Sequence, residues 1–261
     1  MYTLGLSFGF HDSAVALLHN DQLVYASHEE RLSLSKHDDS FPALAIDKAL
    51  AENGLELRDI NRIAYYESPE LKFTRILSSS LAEYPFGIKD FCYSMQSWLS
   101  HKIWLRTQLE KYFQLDADKI DFFEHHDSHA MQAFVGSGFY SAAILVIDAV
   151  GEWATSSIYQ AKYKDQKFFL EKKWQQDFPH SLGLFYSAMT AYLGFQPMND
   201  ECSLMALAAF GKPRFYEQLK QLVFDGDLET FHINNKFLNF NRYVGEPFTT
   251  KFTHTVQSAL V

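Results

Sequence analysis

The stretch Ala143-Ile144-Leu145-Val146-Ile147-Asp148-Ala149-Val150-Gly151-Glu152-Trp153-Ala154-Thr155 decides the fold, because it restates the opening of the chain. An apolar run stops at a carboxylate and a glycine-bearing loop follows. A strand over Ala154 to Tyr159, a turn near Lys164-Asp165 and a strand over Lys167 to Leu170 complete the unit. The amino terminus has the same order, with apolar runs at Tyr2 to Phe8, Ser13 to Leu18 and Gln22 to Ser27. Gly9 and Asn20-Asp21 stand at the breaks, where turn-forming residues separate short strands.

A strand, loop, strand, turn, strand unit that recurs about 140 residues on implies internal duplication. Each lobe then opens on a hairpin whose loop faces a shared cleft, which is the plan of the α/β actin-like, or hexokinase-like, ATPase fold. Between the hairpins, Leu44, Ile46, Ala49 and Leu50 make a helical stripe that Asn53-Gly54 ends. Ile60 to Tyr66 reads as a strand, Ile88 to Phe113 has helical apolar spacing, Ile120 to Phe123 reads as a strand, and His126 to Phe134 as a helix. Past the second hairpin come helices at Ser181 to Leu193, Glu201 to Ala209 and Thr249 to Leu260, the last after a weakly patterned region. The expected division is a first lobe over residues 1–140, joined directly near Gly136 to Ser141 to a second lobe over 141–261. A complete second lobe needs a further strand, helix and strand, so this one is expected to be truncated. Its open apolar face would favour self-association, as in a homodimer.

Composition narrows the function classes. With 23 Lys plus Arg against 32 Asp plus Glu, the net charge of −9 argues against a nonspecific nucleic-acid binder. The first basic residue is Arg31, so the amino terminus lacks the charged region of a signal peptide, and a cytoplasmic location is expected. The run Ala142 to Ile147 is far short of the roughly 20 residues that span a bilayer, so no membrane partner is expected. Cys92 and Cys202 are isolated from each other and read as packed, reduced thiols.

Glu124-His125-His126-Asp127-Ser128-His129 sits where a strand meets a helix. His125 and His129, at i and i+4, share one helix face about 5 to 6 Å apart. Two neutral imidazoles with a carboxylate suit iron, zinc or manganese. The other reading is a polar helix start with solvated histidines and Asp127 near the dipole. Asp148, at the carboxyl end of its strand, stands where α/β proteins place metal and phosphate chemistry, or else caps a hairpin turn. His11, in the first hairpin loop, is either a base for an attacking hydroxyl or a surface histidine. His19, His28, His37, His101, His180, His232 and His254 take only the surface reading.

Five motifs in order then resemble a family: Gly9-Phe10-His11-Asp12-Ser13-Ala14; His125 to Ala130; Asp148 with Gly151 to Thr155; Ser181 to Ser187 with Leu193-Gly194-Phe195; and Glu201 to Lys212. Together they resemble the O-carbamoyltransferases of the nodulation and antibiotic-tailoring type, over about residues 3 to 215. The resemblance implies an amino-terminal actin-like domain similar to the tRNA threonylcarbamoyl transferase. It also implies a carboxyl-terminal domain, absent from these residues, that makes carbamoyl adenylate from carbamoyl phosphate and ATP. The amino-terminal domain would move the carbamoyl group to a hydroxyl of a sugar-like or natural-product acceptor.

Carried over by the resemblance, His125, His129 and Asp148 match iron ligands, and His11 matches the base for the acceptor hydroxyl. Gly151, Thr155 and Glu201 are expected on the side of ATP or the adenylate, with Gly151 letting backbone amides approach phosphate. Ala149 stands where a glycine is usual, Ser203 where a lysine is expected, and Ala206 where glycine is expected. These departures weigh against full activity, and the isolated chain is expected to be inactive because its second lobe lacks closing strands and the adenylate-forming domain is absent from these residues. The competing readings are an actin-like metabolite kinase, against which stand Ser7 in place of an early aspartate and the HxxxH pair, and a catalytically lapsed nucleotide- or metal-binding module, which Ala149 and Ser203 favour.

Overall fold

Strands β1 (Tyr2–Ser7), β2 (Ala14–His19) and β3 (Gln22–His28) form an antiparallel meander in the computed structural model, which describes residues 1–82, 84, 88–100, 102–165, 167–220, 223–225, 230–234, 237–239 and 247–258. Asn20, at φ 54°, makes the tight turn between β2 and β3. Strands β4 (Ile60–Tyr65) and β5 (Ile120–Phe122) add to the other side of β1 in parallel, giving the order β3-β2-β1-β4-β5. Helices α1 (Glu30–Ser33), α2 (Ala43–Asn53), α3 (Pro69–Ala82), α4 (Ile88–Ser100) and α5 (Leu105–Phe113) occupy the connections.

Alternation along the strands sends Leu4, Leu6, Val15, Leu17, Ile63 and Tyr65 into one core, where they meet Ile46 and Leu50 of α2 and Leu109 and Phe113 of α5. Gly54, at φ 66°, closes α2 with its N–H on the Leu50 and Ala51 carbonyls. At its other end α2 is capped from a distance. The buried Glu29 carboxylate accepts the N–H groups of Leu44 and Ala45 at 3.0 and 2.8 Å, supplying partners that Pro42, in the N-cap position, cannot.

The contacts divide the chain into two units, residues 1–70 with 95–128 and residues 71–94 with 129–261. The dividing line passes inside the continuous helix α6 (His125–Ser137), whose Ala130 and Phe134 share a core with Ile144, Val146, Tyr159 and Ala161. Those four come from the second meander, β6 (Ser141–Ile147), β7 (Ala154–Lys164) and β8 (Lys167–Asp177), all antiparallel. Helices α7 (Leu182–Tyr192), α8 (Glu201–Ala208), α9 (Tyr216–Lys220) and α10 (Thr250–Ser258) follow, with a separate two-stranded sheet of β9 (Val223–Asp225) and β10 (Phe231–Ile233). Ala188, Ile233, Leu238 and Phe252 form their core.

Several expectations are corrected. The helical pattern over Ile88 to Phe113 is broken by a 3-10 turn at Lys102–Trp104, after which Leu105, Leu109 and Phe113 face the first core. His101 lies outside the described residues, as does Leu260. Strand β8 runs seven residues beyond Leu170, because pairing with β7 supports the polar stretch that apolar patterning passes over. Strand β6 is buried on one side only, with Leu145 and Ile147 exposed. Leu44 points outward while Ala45 is buried, and Cys92 and Cys202 are both exposed free thiols. Among the described residues no helix is long and apolar enough to cross a membrane.

Candidate metal centre

Two residues separate helix α6 from β5, and its first turn is held by Ser128. The Ser128 N–H donates to Glu124 O at 3.0 Å and its hydroxyl donates to Tyr66 O at 2.9 Å. His125 and His129 therefore stand one turn apart on the same face of a single helix, and that spacing is a property of the helix itself. His125 is half-buried, with its ring edge-on to Tyr66, and His129 is exposed.

Asp148 follows β6 directly. Its N–H donates to Thr155 O at 2.9 Å, closing the hairpin, and its Oδ1 accepts the Ala149 N–H at 2.6 Å. The other carboxylate oxygen, Oδ2, lies 3.6 Å from His129 Nε2. Donor atoms of His125, His129 and Asp148 all fall within 4.8 Å of one another. Two imidazoles and a carboxylate at that spacing match the mixed nitrogen and oxygen donor set of a non-haem iron or related divalent metal.

The Asp148 loop is clamped by the start of α7, a device the sequence reading missed. The Ser181 hydroxyl accepts the Leu184 N–H at 3.0 Å as the helix cap, and donates to Ala149 O at 2.6 Å, with Asp148 O at 3.2 Å. Two residues on, Gly183 lies against the same peptide. A Cβ there would stand 2.4 Å from Asp148 O and 2.5 Å from Ala149 N. The Ser-Leu-Gly string was the signal, since a glycine inside a helix marks close backbone approach.

The residues expected on the nucleotide side are used internally. The Gly151 N–H donates to Ala154 O at 2.9 Å. Thr155 is fully buried, and its hydroxyl donates to His180 O at 2.6 Å, with Gln176 O at 3.1 Å. Glu201 Oε1 accepts the Ser187 hydroxyl at 2.6 Å and the Met198 N–H at 2.8 Å. Partial burial pushes the Glu201 pKa up, but these bonds and the Asn199 and Glu201 amides outweigh it and hold the carboxyl below its usual range.

His11 belongs to the first unit, in a loop that Gly9 N–H to Asp39 O and Ser13 N–H to Asp38 O stitch to the segment after α1. Its Nδ1 is 2.8 Å from one oxygen of Asp12, and His37 Nδ1 is 2.9 Å from the other. Partial burial raises the Asp12 pKa, and the hydrogen bonds and charge of the two imidazoles outweigh that and hold it below the usual carboxylate value. His37 is thus a bonded partner rather than a plain surface residue. His180, too, is engaged, accepting the Ile233 N–H at 3.1 Å, and burial lowers its pKa with His232 adding to the effect.

Residues 2–256 match the family described as Carbamoyltransferase N-terminus. The chain belongs to this family. It is 39% identical over 247 residues to the uncharacterized protein sll1178 of Synechocystis, covering 92% of this chain and 40% of that protein. It is 34% identical over 224 residues to the nodulation protein NolNO of Sinorhizobium fredii, covering 83% of this chain and 31% of that protein. This carbamoyltransferase-family chain thus spans less than half the length of either relative. A solved structure from Pseudomonas aeruginosa, described as an uncharacterized protein with similarity to peptidase YEAZ, aligns at 15% identity with a TM-score of 0.38, over 81% of this chain and 93% of that one.

Proposed function

We propose that this chain is the amino-terminal, acceptor- and metal-binding part of an ATP-dependent O-carbamoyltransferase with a duplicated, actin-like architecture that acts in the cytoplasm. The observation that carries the reading is the donor set of His125, His129 and Asp148, within 4.8 Å of one another, in a chain whose family is named for carbamoyl transfer. These three residues would hold iron or another divalent metal, and a metal bound there supplies Lewis-acid polarisation of the carbamoyl carbonyl.

The chain's own residues account for the rest. Ser181 and Gly183 fix the Asp148 loop, so that its carboxylate is presented without rearrangement. Gly151 belongs to the loop that faces carbamoyl adenylate, while Thr155 and Glu201 act by holding the shape of their segments rather than by touching the nucleotide. His11 takes the proton of the acceptor hydroxyl as the hydroxyl oxygen bonds to the carbamoyl carbon and the bond to the phosphate oxygen breaks, releasing AMP. Carbamoyl adenylate comes from carbamoyl phosphate and ATP in a carboxyl-terminal domain, and the acceptor is a sugar-like or natural-product alcohol.

The test measures metal per chain in the native gene product and in His129→Ala, and carbamoyl transfer to a panel of sugar alcohol groups with carbamoyl phosphate and ATP supplied. About one metal per chain, lost in the variant along with transfer, is the expected result for a three-donor site. Equal metal content in wild type, His129→Ala and Asp148→Ala overturns the site, and ATP turnover independent of carbamoyl phosphate overturns the reaction.

A further inference from the structure

Two histidines share one aspartate in the first unit, and this arrangement fixes more than a single base. The carboxylate of Asp12 spends one oxygen on His11 Nδ1 at 2.8 Å and the other on His37 Nδ1 at 2.9 Å. An ionised carboxylate only accepts hydrogen bonds, so both histidines must carry their proton on Nδ1 when neutral. The lone pair of each is then on Nε2, the nitrogen away from Asp12. The surrounding backbone holds the three residues in place. Asp12 and His37 both sit in the left-handed region, at φ 51° and 56°, which non-glycine residues seldom occupy. The His37 N–H is anchored by Glu30 Oε2 at 3.0 Å, and the two backbone bonds from Gly9 and Ser13 to residues 39 and 38 hold the loops together. All three side chains remain partly open to solvent.

We propose that Asp12 is a positioning residue that holds His11 and His37 as a pair of Nδ1-protonated imidazoles, His11 as the base of the transfer reaction and His37 as a second hydrogen-bond acceptor for the same hydroxylated substrate. The catalytic half of this rests on the function proposed above. The positioning half rests only on geometry. A lone base would need one orienting partner, whereas a carboxylate that bridges two rings couples their orientations, turning Nε2 of each away from Asp12.

Asp12→Asn separates the charge and the tautomer from the fold, because asparagine tolerates the left-handed conformation as aspartate does. Its carboxamide presents an N–H donor to one ring and so no longer enforces Nδ1 protonation on both. The measurement is a long-range proton–nitrogen correlation spectrum of the nitrogen-labelled chain, at a pH well above the imidazole range. Wild type is expected to show His11 and His37 with protonated Nδ1, and Asp12→Asn to shift at least one of them toward the other tautomer. Transfer by the native gene product should fall roughly 10- to 100-fold in Asp12→Asn, below the full effect of removing a base. In His37→Asn the acceptor KM should rise while kcat stays near wild type.

Protonated Nε2 on either ring in wild type, or tautomers unmoved by Asp12→Asn, overturns the proposal. Full transfer in Asp12→Asn where His11→Asn has lost it overturns the catalytic role of the positioning. Undiminished transfer in His11→Asn overturns instead the base assignment on which the proposal rests, and the spectra still decide whether Asp12 positions the rings.

Discussion

Gly183→Ala puts the clamp on the Asp148 loop to a quantitative test. The added methyl would stand 2.4 Å from Asp148 O, a full 1.0 Å short of the 3.4 Å at which ordinary contact begins, with the Asp148 carbonyl carbon and Ala149 N at 2.5 Å. All three obstacles are backbone atoms, so no side-chain rotation relieves them. Ser181 bonds that peptide and the next one to the α7 cap, which resists a separation of helix and loop. Overpacking of this kind costs about 1 to 3 kcal/mol. For a chain of this size that lowers Tm by roughly 2 to 4 °C per kcal/mol. The loop carries a ligand of the candidate metal centre, so a displacement near 1 Å should also weaken metal binding by roughly 10- to 100-fold, as loss of an orienting shell does. Thermal melts followed by circular dichroism and a metal-competition titration read the two effects. Gly136→Ala is the control, since a Cβ in that helical position meets nothing within 4 Å. It should raise stability by up to about 1 kcal/mol. Wild-type melting and wild-type metal affinity in Gly183→Ala would refute the reasoning.

Removing the remote cap with Glu29→Ala should cost about 1 to 3 kcal/mol, because the Leu44 and Ala45 N–H groups lose a buried acceptor; a urea midpoint equal to wild type would show that the cap contributes nothing. Thr155→Val keeps the shape but removes the donor to His180 O and Gln176 O, so the melting point should fall while Thr155→Ser stays near wild type. Weakened nucleotide binding in Thr155→Val with an unchanged melt would restore the direct-contact reading of this residue. The folded Glu201 carboxyl titrates below its ordinary value of 4.5, so its contribution to stability is complete above that value and is lost as pH falls through the lower, folded pKa. Melting curves in an acid series should show this drop in wild type and a shallower one in Glu201→Gln, and parallel curves for the two would remove Glu201 from the acid limb.

Much of the site was legible because it is local. Periodicity alone puts His125 and His129 on one helix face, and the next strand leads directly into Asp148, with only a short connection between α6 and β6. The two meanders were legible for the same reason, since alternation and turn residues such as Asn20-Asp21 act over a few positions. Tertiary structure decided the rest. Ser181 and Gly183 reach the Asp148 loop across more than 30 residues, Asp12 meets His37 across 25, and Glu29 caps a helix that starts 14 residues later. No local pattern encodes such pairs, because a hydrogen bond or a close approach depends on where the backbone returns, not on the spacing of apolar residues. Helix α3 and the polar half of β8 escaped notice on similar grounds. The sequence settled which segments would be helix or strand wherever burial follows a period, and packing decided which polar side chains would find partners within the fold, as those of Thr155 and Glu201 do.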